Sequence, residues 1–409
     1  MEQKKKATLQ NYIFFSILLL IYLTVTLFLF HRQTVKYGGN YISDIQPYID
    51  EMQGIDSGFD FPYPLLFLTG RFFLLFTTPQ HAMALAVTLL NGLTAPALKL
   101  FFDKFLKVSE SSSQREGFLS SLLVFSLLFA SMLYPLTYLG RYNLPGEDFL
   151  YRYLGVFSPN PYHNATYLAA RPFTVPAFFL FADILGFYEK ENKWFHPKYL
   201  LFGLSLFLAT MAKPSFTLVF VAIAGLIMLF RLLRSRLHGI KAFFQCGIWF
   251  IPTFGVLLYQ FQDVFRSQTG EAEKGLGFGF LTAWSLVCSN IPAALLLAIA
   301  FPLTVLLFCI IQKEVPAILK FTWQFFLTAL ATLVFLYEKG RRLPHVNFTW
   351  GYMYGLFFLY TVSLLVLAGK SLHRRHPVWQ YIVQWLVYGL HLVCGLDYFR
   401  VLLQGGLFH

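Results

Sequence analysis

Residues 12–30 read YIFFSILLLIYLTVTLFLF, a run without charge that follows the basic triplet Lys4-Lys5-Lys6. An apolar run of this length exceeds the core of a signal peptide and can cross the hydrocarbon layer of a bilayer as one helix. The stretch therefore predicts a retained first transmembrane helix. Because lysine and arginine concentrate in cytoplasmic segments, the triplet predicts a cytoplasmic N-terminus.

The composition extends this prediction to the whole chain. Of 409 residues, 57% are apolar and only 13% are charged, whereas a soluble domain carries about 25% charged residues. We therefore expect an all-α, polytopic integral membrane protein that forms a single transmembrane domain over residues 1–409. Ten further apolar stretches bring the expected number of transmembrane helices to about 11: 82–102, 118–136, 166–187, 199–211, 214–231, 242–260, 290–311, 317–336, 351–369 and 378–397.

The distribution of charged residues decides whether each of two ambiguous apolar stretches crosses the membrane. Residues 61–78 contain Arg71 and are predicted to form an interfacial helix on the outer surface, whereas residues 199–211 are predicted to cross as a short helix. With these assignments most of the 32 Lys and Arg residues fall in cytoplasmic loops, as multi-pass proteins of the cell membrane require. The formal charge of +12 is then a topology signal. The lipid bilayer is the expected partner, and no nucleic-acid partner is predicted.

Polar chemistry is expected in two outer loops, a first over residues 31–81 with interfacial helices and a second over residues 137–165. Near the start of the first loop, Ser43 is of the residue type that caps helix N-termini, and an acid in the first turn, here Asp44, is favoured by the helix dipole. Asp44 is therefore either a capping residue or a catalytic acid.

The second loop offers two kinds of candidate. Glu147 and Asp148 are paired acids that either form surface ion pairs or take part in catalysis. Close to two prolines lie amide, phenol and imidazole side chains that could hold the hydroxyls of a sugar: Asn160, Tyr162, His163 and Asn164. The alternative for this segment is a turn that caps the following helix through Asn164 or Thr166.

Basic side chains on the same side could bind an anion. Arg171 lies inside the start of the next predicted span, and Lys213 lies at the tip of the short crossing, before Pro214-Ser215. A cation at that depth is costly unless it faces a wet cavity or an anion such as a lipid phosphate, or reaches the interface. Arg341 and Arg342 form another basic cluster in the last outer loop.

The motifs of several enzyme classes are absent. The chain has no Walker loop, no HExxH and no GxSxG, and its four cysteines form no CxxC pair, so we predict neither a cofactor nor a metal site. Asp183, near the inner end of a predicted span, is expected to pair with a base of an inner loop or to belong to a proton relay.

The layout resembles the membrane glycosyltransferases of the GT-C fold, which use polyprenyl-phosphate-linked sugars as donors. The residues that carry the resemblance are Tyr41-Ile42-Ser43-Asp44 after the first span, Tyr63-Pro64-Leu65-Leu66 in the same loop and the later Lys213-Pro214-Ser215 turn. The plan covers most of the chain and resembles that of bacterial members without an assigned substrate.

The resemblance implies roles for several residues. The acid of the first outer loop at the reaction centre would be Asp44, and a second acid would be Glu147 or Asp148. Many members carry paired acids at the first position, where this chain has Ser43-Asp44-Ile45-Gln46. The function that follows is inverting transfer of a sugar from a polyprenyl-phosphate donor to a glycan, lipid or protein acceptor of the envelope, at the outer face.

In this hypothesis Asp44 is the general base, and Lys213 with Arg171 or Arg342 neutralises the leaving phosphate. A transporter or a lipid or glycan flippase is the first alternative, for which inverted repeats with discontinuous helices are typical. An envelope glycan polymerase or ligase is the second, because it uses the same lipid-phosphate substrates.

Overall fold

The computed structural model describes the chain except residues 1, 36–37, 60, 109–113, 134–139, 142–149, 152, 154, 192, 267–274 and 407–409. Most of the described residues are helical. The α-helices are α1 (Glu2–Thr34), α2 (Ile45–Gln53), α3 (Leu65–Leu74), α4 (Pro79–Phe105), α5 (Arg115–Phe129), α6 (Ala165–Ile184), α7 (Tyr188–Glu191), α8 (Pro197–Ala212), α9 (Ser215–Arg234), α10 (Ile240–Gly247), α11 (Ile251–Arg266), α12 (Ile291–Ile311), α13 (Ala317–Phe335), α14 (Thr349–His373) and α15 (Val378–Leu403).

Within the described ranges, nine helical segments are long and apolar enough to cross a membrane. They are α1, α4, α6, α9, the continuous segment of α10 and α11, α12, α13, α14 and α15. The prediction of an all-α, multi-pass membrane protein is therefore confirmed. Two of the predicted spans are short helices. Helix α5 has 15 residues and is shorter than the predicted stretch 118–136, whereas α8 has 16 residues and is slightly longer than the predicted stretch 199–211.

Helix α14 forms the centre of the bundle. Its apolar segment is completely buried, and α4, α5, α9, α12, α13 and α15 all pack against it. Two glycines allow the closest of these contacts, because a Cβ at Gly351 would come within 2.9 Å of Val219 and one at Gly355 within 3.1 Å of Ala329. A helix that is surrounded on every side is expected to be apolar on all faces, and the sequence of α14 agrees with this.

The two ends of the bundle differ in charge. At one end, which we call the basic end, the Asp183 carboxylate accepts hydrogen bonds from Lys104 at 2.5 Å and Lys198 at 3.1 Å. Asp183 is therefore paired with basic residues, here at the last turn of α4 and the first turn of α8. At the opposite end, which we call the site end, Tyr41 contacts the last described turn of the chain through Leu403 and Gly405.

The first loop contains the two short helices that the sequence predicts. Helix α3 has ten residues and a length of about 15 Å, half of what a crossing needs. Arg71, the charge that interrupts this apolar stretch, donates from Nε to the carbonyl of Met52 at 2.9 Å at the C-terminal end of α2. The outward face of α3 is strongly apolar, since Leu68 and Phe72 are more than half exposed.

The helix predicted over residues 118–136 ends early, at Phe129. Residues 130–133 are extended and mostly buried inside the bundle. Their backbone is hydrogen-bonded to two helices, with Ser131 N donating to His391 O at 3.2 Å and Leu133 N donating to Leu297 O at 3.1 Å. Irregular backbone at membrane depth is tolerated only when its polar groups are paired in this way.

Pro302 in α12 helps to accommodate residues 130–133 inside the bundle. Proline lacks an N–H, so the carbonyl of Ala298, one turn earlier, has no helical donor. The Tyr360 hydroxyl donates to that carbonyl at 2.6 Å, and Phe301 N donates to Nε2 of His391 at 3.2 Å. The hydrogen bonds that the helix loses are thus replaced by side chains of α14 and α15.

Two small antiparallel sheets complete the described fold, and the sequence did not predict them. Strand β1 (Gly140–Arg141) pairs with β2 (Leu150–Tyr151), and β3 (Leu276–Phe278) pairs with β4 (Leu336–Glu338). In the second sheet Leu276 lies opposite Glu338 and Phe278 lies opposite Leu336. The sheet joins the segment between α11 and α12 to the segment between α13 and α14 at the site end.

Candidate functional site

Asp44 occupies the N-cap position of α2, one residue earlier than expected, but its carboxylate makes no capping bond. Ser43 takes over that task, because its hydroxyl accepts the N–H of Ile45 at 3.3 Å. The Asp44 carboxylate instead accepts from Nδ2 of Asn164 at 2.7 Å through Oδ2. Its other oxygen, Oδ1, receives no hydrogen bond from the described residues, and the residue is partly exposed. One carboxylate oxygen is therefore available to a ligand.

Asn164 caps a helix, as one of the two hypotheses for it predicts, and it also contacts the candidate acid. Its Oδ1 accepts the N–H of Tyr167 at 2.9 Å at the start of α6. The same oxygen accepts from Lys213 Nζ at 3.2 Å, and Nδ2 also donates to the Tyr48 hydroxyl at 3.1 Å. A single amide thus stands between Asp44 and Lys213.

Lys213 comes to the site because α8 ends at Ala212, immediately before the Lys213-Pro214 turn. Its side chain is only 5% exposed, and its ammonium donates to Thr166 Oγ1 at 2.9 Å. The nitrogen also lies 4.4 Å from the ring centroid of Trp350 and 5.8 Å from that of Tyr63. Aromatic faces stabilise a desolvated cation without neutralising it.

Asp44 and Lys213 are connected through Asn164, and the described structure shows no direct ion pair between them. Burial raises the pKa of the Asp44 carboxyl, while the Asn164 hydrogen bond and the positive charge of Lys213 act in the opposite direction. Burial likewise lowers the pKa of Lys213, against the effect of Asp44. Each group therefore favours the charged form of the other, against the effect of burial.

Aromatic side chains complete the surroundings of this cluster. Tyr48, one turn after Asp44 on α2, lies 3.4 Å from Thr166 Oγ1 through its hydroxyl. Burial raises the pKa of the Tyr63 phenol, Asp44 raises it further, and Arg342 acts in the opposite direction. These phenols therefore remain protonated donors at neutral pH.

Sequence reasoning did not assign site roles to Tyr48, Tyr63 or Trp350. The spacing of Tyr48 from Asp44, one helical turn, is a signal that could have found the first. Tyr63 lies in the stretch that carries the family resemblance, whereas nothing in the sequence around Trp350 indicates that it covers Lys213.

Three of the predicted ligand-binding residues lie deeper in the bundle. Asn160 donates to the carbonyls of Leu127 at 2.9 Å and Ala130 at 2.7 Å, the free end of α5. Tyr162 donates to the carbonyl of Leu128 at 2.7 Å. Asn160 and Tyr162 therefore satisfy the backbone where α5 ends, and their described contacts do not include Asp44 or Lys213.

Arg171 is also separate from the cluster around Lys213. It is completely buried on α6, with one nitrogen donating to Asn160 Oδ1 and another to Asn91 Oδ1, both at 2.5 Å. No carboxylate accepts from it among the described residues. Its place is in the network that holds α4, α6 and the end of α5 together.

His163 and Arg342 lie near the cluster. The carbonyl of His163 accepts the N–H of Asp44 at 3.1 Å, and its ring lies 5.9 Å from Trp350. Arg342 lies 3.9 Å from Glu338, and the side chain of Arg341 is not described. Glu147 and Asp148 lie outside the described residues.

The second predicted outer loop enters the bundle at its C-terminal part. Residues 155–165 are buried throughout, and Ser158 Oγ accepts from Ser131 Oγ at 2.8 Å. The turn before α6 is therefore held by burial and by this hydrogen bond, so Asn164 has little freedom to move away from Asp44 and Lys213.

Comparisons with known proteins do not assign a family. Searches with the sequence find no matching family model and no matching curated protein. In the part of the chain that the structure describes, no group of three or more His, Cys, Asp or Glu residues could hold a metal ion. The function must therefore be argued from the site.

Proposed function

We propose that the protein is a membrane glycosyltransferase that transfers a sugar from a polyprenyl-phosphate donor to an envelope acceptor, with inversion. The observation that carries the proposal is the Asp44, Asn164 and Lys213 arrangement. It combines a carboxylate with one free oxygen and a buried cation in the same site. These are the two groups that such a transfer needs.

The proposed reaction follows from their chemistry. The acceptor hydroxyl forms a bond to the anomeric carbon while its proton passes to the Asp44 carboxylate. The bond from that carbon to the phosphate oxygen breaks, and its electron pair leaves with the polyprenyl phosphate. The Lys213 ammonium stabilises the negative charge that develops on this phosphate. Attack opposite to the leaving group inverts the anomeric centre.

The proposal includes a topology of eleven crossings, with α5 and α8 as the two short ones. The contacts of the described residues support it, because Lys104, Asp183 and Lys198 meet at one end while Asp44, Asn164 and Lys213 meet at the other. The excess of Lys and Arg at the basic end favours a cytoplasmic position for that end and for the N-terminus. The site then lies at the outer face, where the donor phosphate lies.

The test is the pair of variants Asp44→Asn and Asp50→Asn. Both remove one carboxylate from the start of the same loop, but Asp50 lies further along α2 and contacts neither Asn164 nor Lys213 in the described structure. Purified protein in liposomes is given synthetic polyprenyl-phosphate hexoses and pentoses, and release of polyprenyl phosphate is measured. We expect Asp44→Asn to lose at least a hundredfold in rate and Asp50→Asn to keep the wild-type rate.

Wild-type turnover in Asp44→Asn, with the protein folded and inserted, would refute the assignment. Absence of turnover in the wild-type protein with every donor of the panel would count against the substrate class. An envelope polymerase or ligase would pass the same test, and the acceptor that becomes labelled separates the two.

A transporter or flippase is a second candidate because of the short helix α5. Its extended continuation and the buried charge of Arg171 are features that transporters share. Movement of a fluorescent polyprenyl phosphate across liposomes, without sugar transfer, would support this alternative.

A further inference from the structure

A groove with a volume of about 700 Å³ opens at the basic end, between the ends of α6, α9 and α13. It lies at the opposite end of the bundle from Asp44 and plays no part in the proposed transfer. Its lining combines apolar side chains with four charged residues, Asp183, Arg231, Arg234 and Lys320.

The walls of the groove are apolar and face the lipid side of the bundle. Phe230 is 64% exposed and Leu226 is 60% exposed, both on α9. The floor is formed by side chains that are buried, including Ile223 and Phe321. Because α9 and α13 are both long enough to span the bilayer, a hydrocarbon chain is the occupant available at this depth.

The rim of the groove is positively charged. Arg231, Arg234 and Lys320 line it together with one acid, Asp183. Lys104 and Lys198 already compensate that acid, through the hydrogen bonds to its carboxylate. The lining therefore attracts an anion.

The three basic residues are not equivalent. Arg231 is engaged in the fold, since it donates to the carbonyl of Leu185 at 2.6 Å and lies 3.6 Å from Glu189. Arg234 and Lys320 are exposed and have no acidic partner among the described residues. Two cations next to an apolar groove match a phosphate group that is attached to an acyl chain.

We propose that this groove binds an anionic glycerophospholipid of the leaflet at the basic end. The phosphodiester lies between Arg234 and Lys320, and an acyl chain follows Leu226 and Phe230 on α9. In the proposed topology this leaflet is the cytoplasmic one. Binding there would hold α6, α9 and α13 together at an end where the structure leaves space between them.

The experiment compares two double variants of the purified full-length protein by native mass spectrometry. Arg234→Gln with Lys320→Gln removes the charges at the groove. Arg236→Gln with Lys241→Gln removes the same number of exposed charges at the same end, outside the groove. Each protein is titrated with phosphatidylglycerol and with phosphatidylcholine of identical chains.

We expect the wild-type protein to prefer phosphatidylglycerol. Each basic side chain near a membrane surface contributes roughly fivefold to the binding of an anionic lipid, so the groove variant should lose roughly 25-fold in affinity for it. Phosphatidylcholine binding should stay unchanged, and the control variant should stay within about threefold of wild type.

Three results would overturn the proposal. Equal losses in both double variants would show a general attraction to the basic end, and a wild-type protein without preference would show that the groove does not select charge. If the water-soluble headgroup glycerophosphoglycerol binds as tightly as the lipid, the site is an anion site without a role for the acyl chain.

Discussion

Replacing Lys213 with Met separates a catalytic role of this lysine from a structural one. The ammonium makes hydrogen bonds to Thr166 and Asn164, and both acceptors retain other contacts. Asn164 Oδ1 still accepts from Tyr167 N and from the Thr166 hydroxyl, each at 2.9 Å. The variant therefore leaves neither acceptor unpaired.

The expected change in the free energy of unfolding is the sum of two opposing contributions. Hydrogen bonds to a charged group contribute about 1.5–3 kcal/mol each, but desolvation of a buried ion costs several kcal/mol. Methionine fills most of the volume of the lysine stem next to Trp350 and Tyr63, and its sulfur makes favourable contacts with aromatic rings. We expect a change of no more than about 2 kcal/mol in the free energy of unfolding. The loss of charge stabilisation in the transition state should cost about 3–4 kcal/mol, or 10²- to 10³-fold in rate.

Two measurements on one preparation test this expectation. The apparent melting temperature in detergent should stay within about 4 °C of wild type, while release of polyprenyl phosphate should fall at least a hundredfold. Lys339→Met, at the same end of the protein, is the control and should keep the wild-type rate. A Lys213→Met variant with more than a third of the wild-type rate, or one whose rate falls only in proportion to its folded fraction, would refute the reasoning.

The remaining predictions concern pH and the inserted segment. The plot of rate against pH should be bell-shaped. Asp44 must be ionised, and because burial raises its pKa, the rate should fall on the acidic side at a pH above the usual aspartate pKa of about 3.9. Lys213 must be charged, and because burial lowers its pKa, the rate should fall on the alkaline side at a pH below the usual lysine pKa of about 10.4. A rate that is flat from pH 5 to pH 10 would contradict this assignment. Tyr360→Phe should lower the free energy of unfolding by about 1–3 kcal/mol, because the Ala298 carbonyl loses its donor. Tyr352→Phe is the control and should lower it by at most about 0.5 kcal/mol, because the buried Tyr352 hydroxyl has no hydrogen-bond partner in the described chain. Equal shifts in melting temperature for the two variants would show that the Tyr360 contact does not stabilise the insertion.

The end of α5 shows why a correct hydropathy prediction still gave a wrong helix length. Residues 118–136 are apolar enough to cross the membrane. The local helix breaker in them, Pro135, predicts a helix end near residue 134 and not at Phe129. The chain leaves the helix at Phe129 because the carbonyls of Leu297 and His391, both far away in sequence, accept the N–H groups of Leu133 and Ser131.

Asn160 and Arg171 show the same limit for the candidate site. Their residue types suit a sugar or a phosphate ligand, and the sequence cannot tell such a ligand from internal partners. Those partners are the carbonyls of Leu127 and Ala130 for Asn160, and two amide oxygens for Arg171. Asn164, four residues after Asn160, has the same side chain and lies at the cluster instead. The difference is positional, because one amide lies at the broken end of α5 and the other at the N-terminus of α6.

The sequence by itself determined that the protein is an all-α membrane protein with two short helices after its first span. The reason is that apolar length and the absence of charge act locally, through the energy of placing each segment in lipid. It also singled out Asp44 and Lys213, because charges next to apolar segments are few. Only the tertiary structure decided that a single amide, Asn164, connects them, since that contact depends on packing α2, α6 and the turn after α8 together. Sequence separations of 120 and 49 residues carry no signal for distances of 2.7 and 3.2 Å.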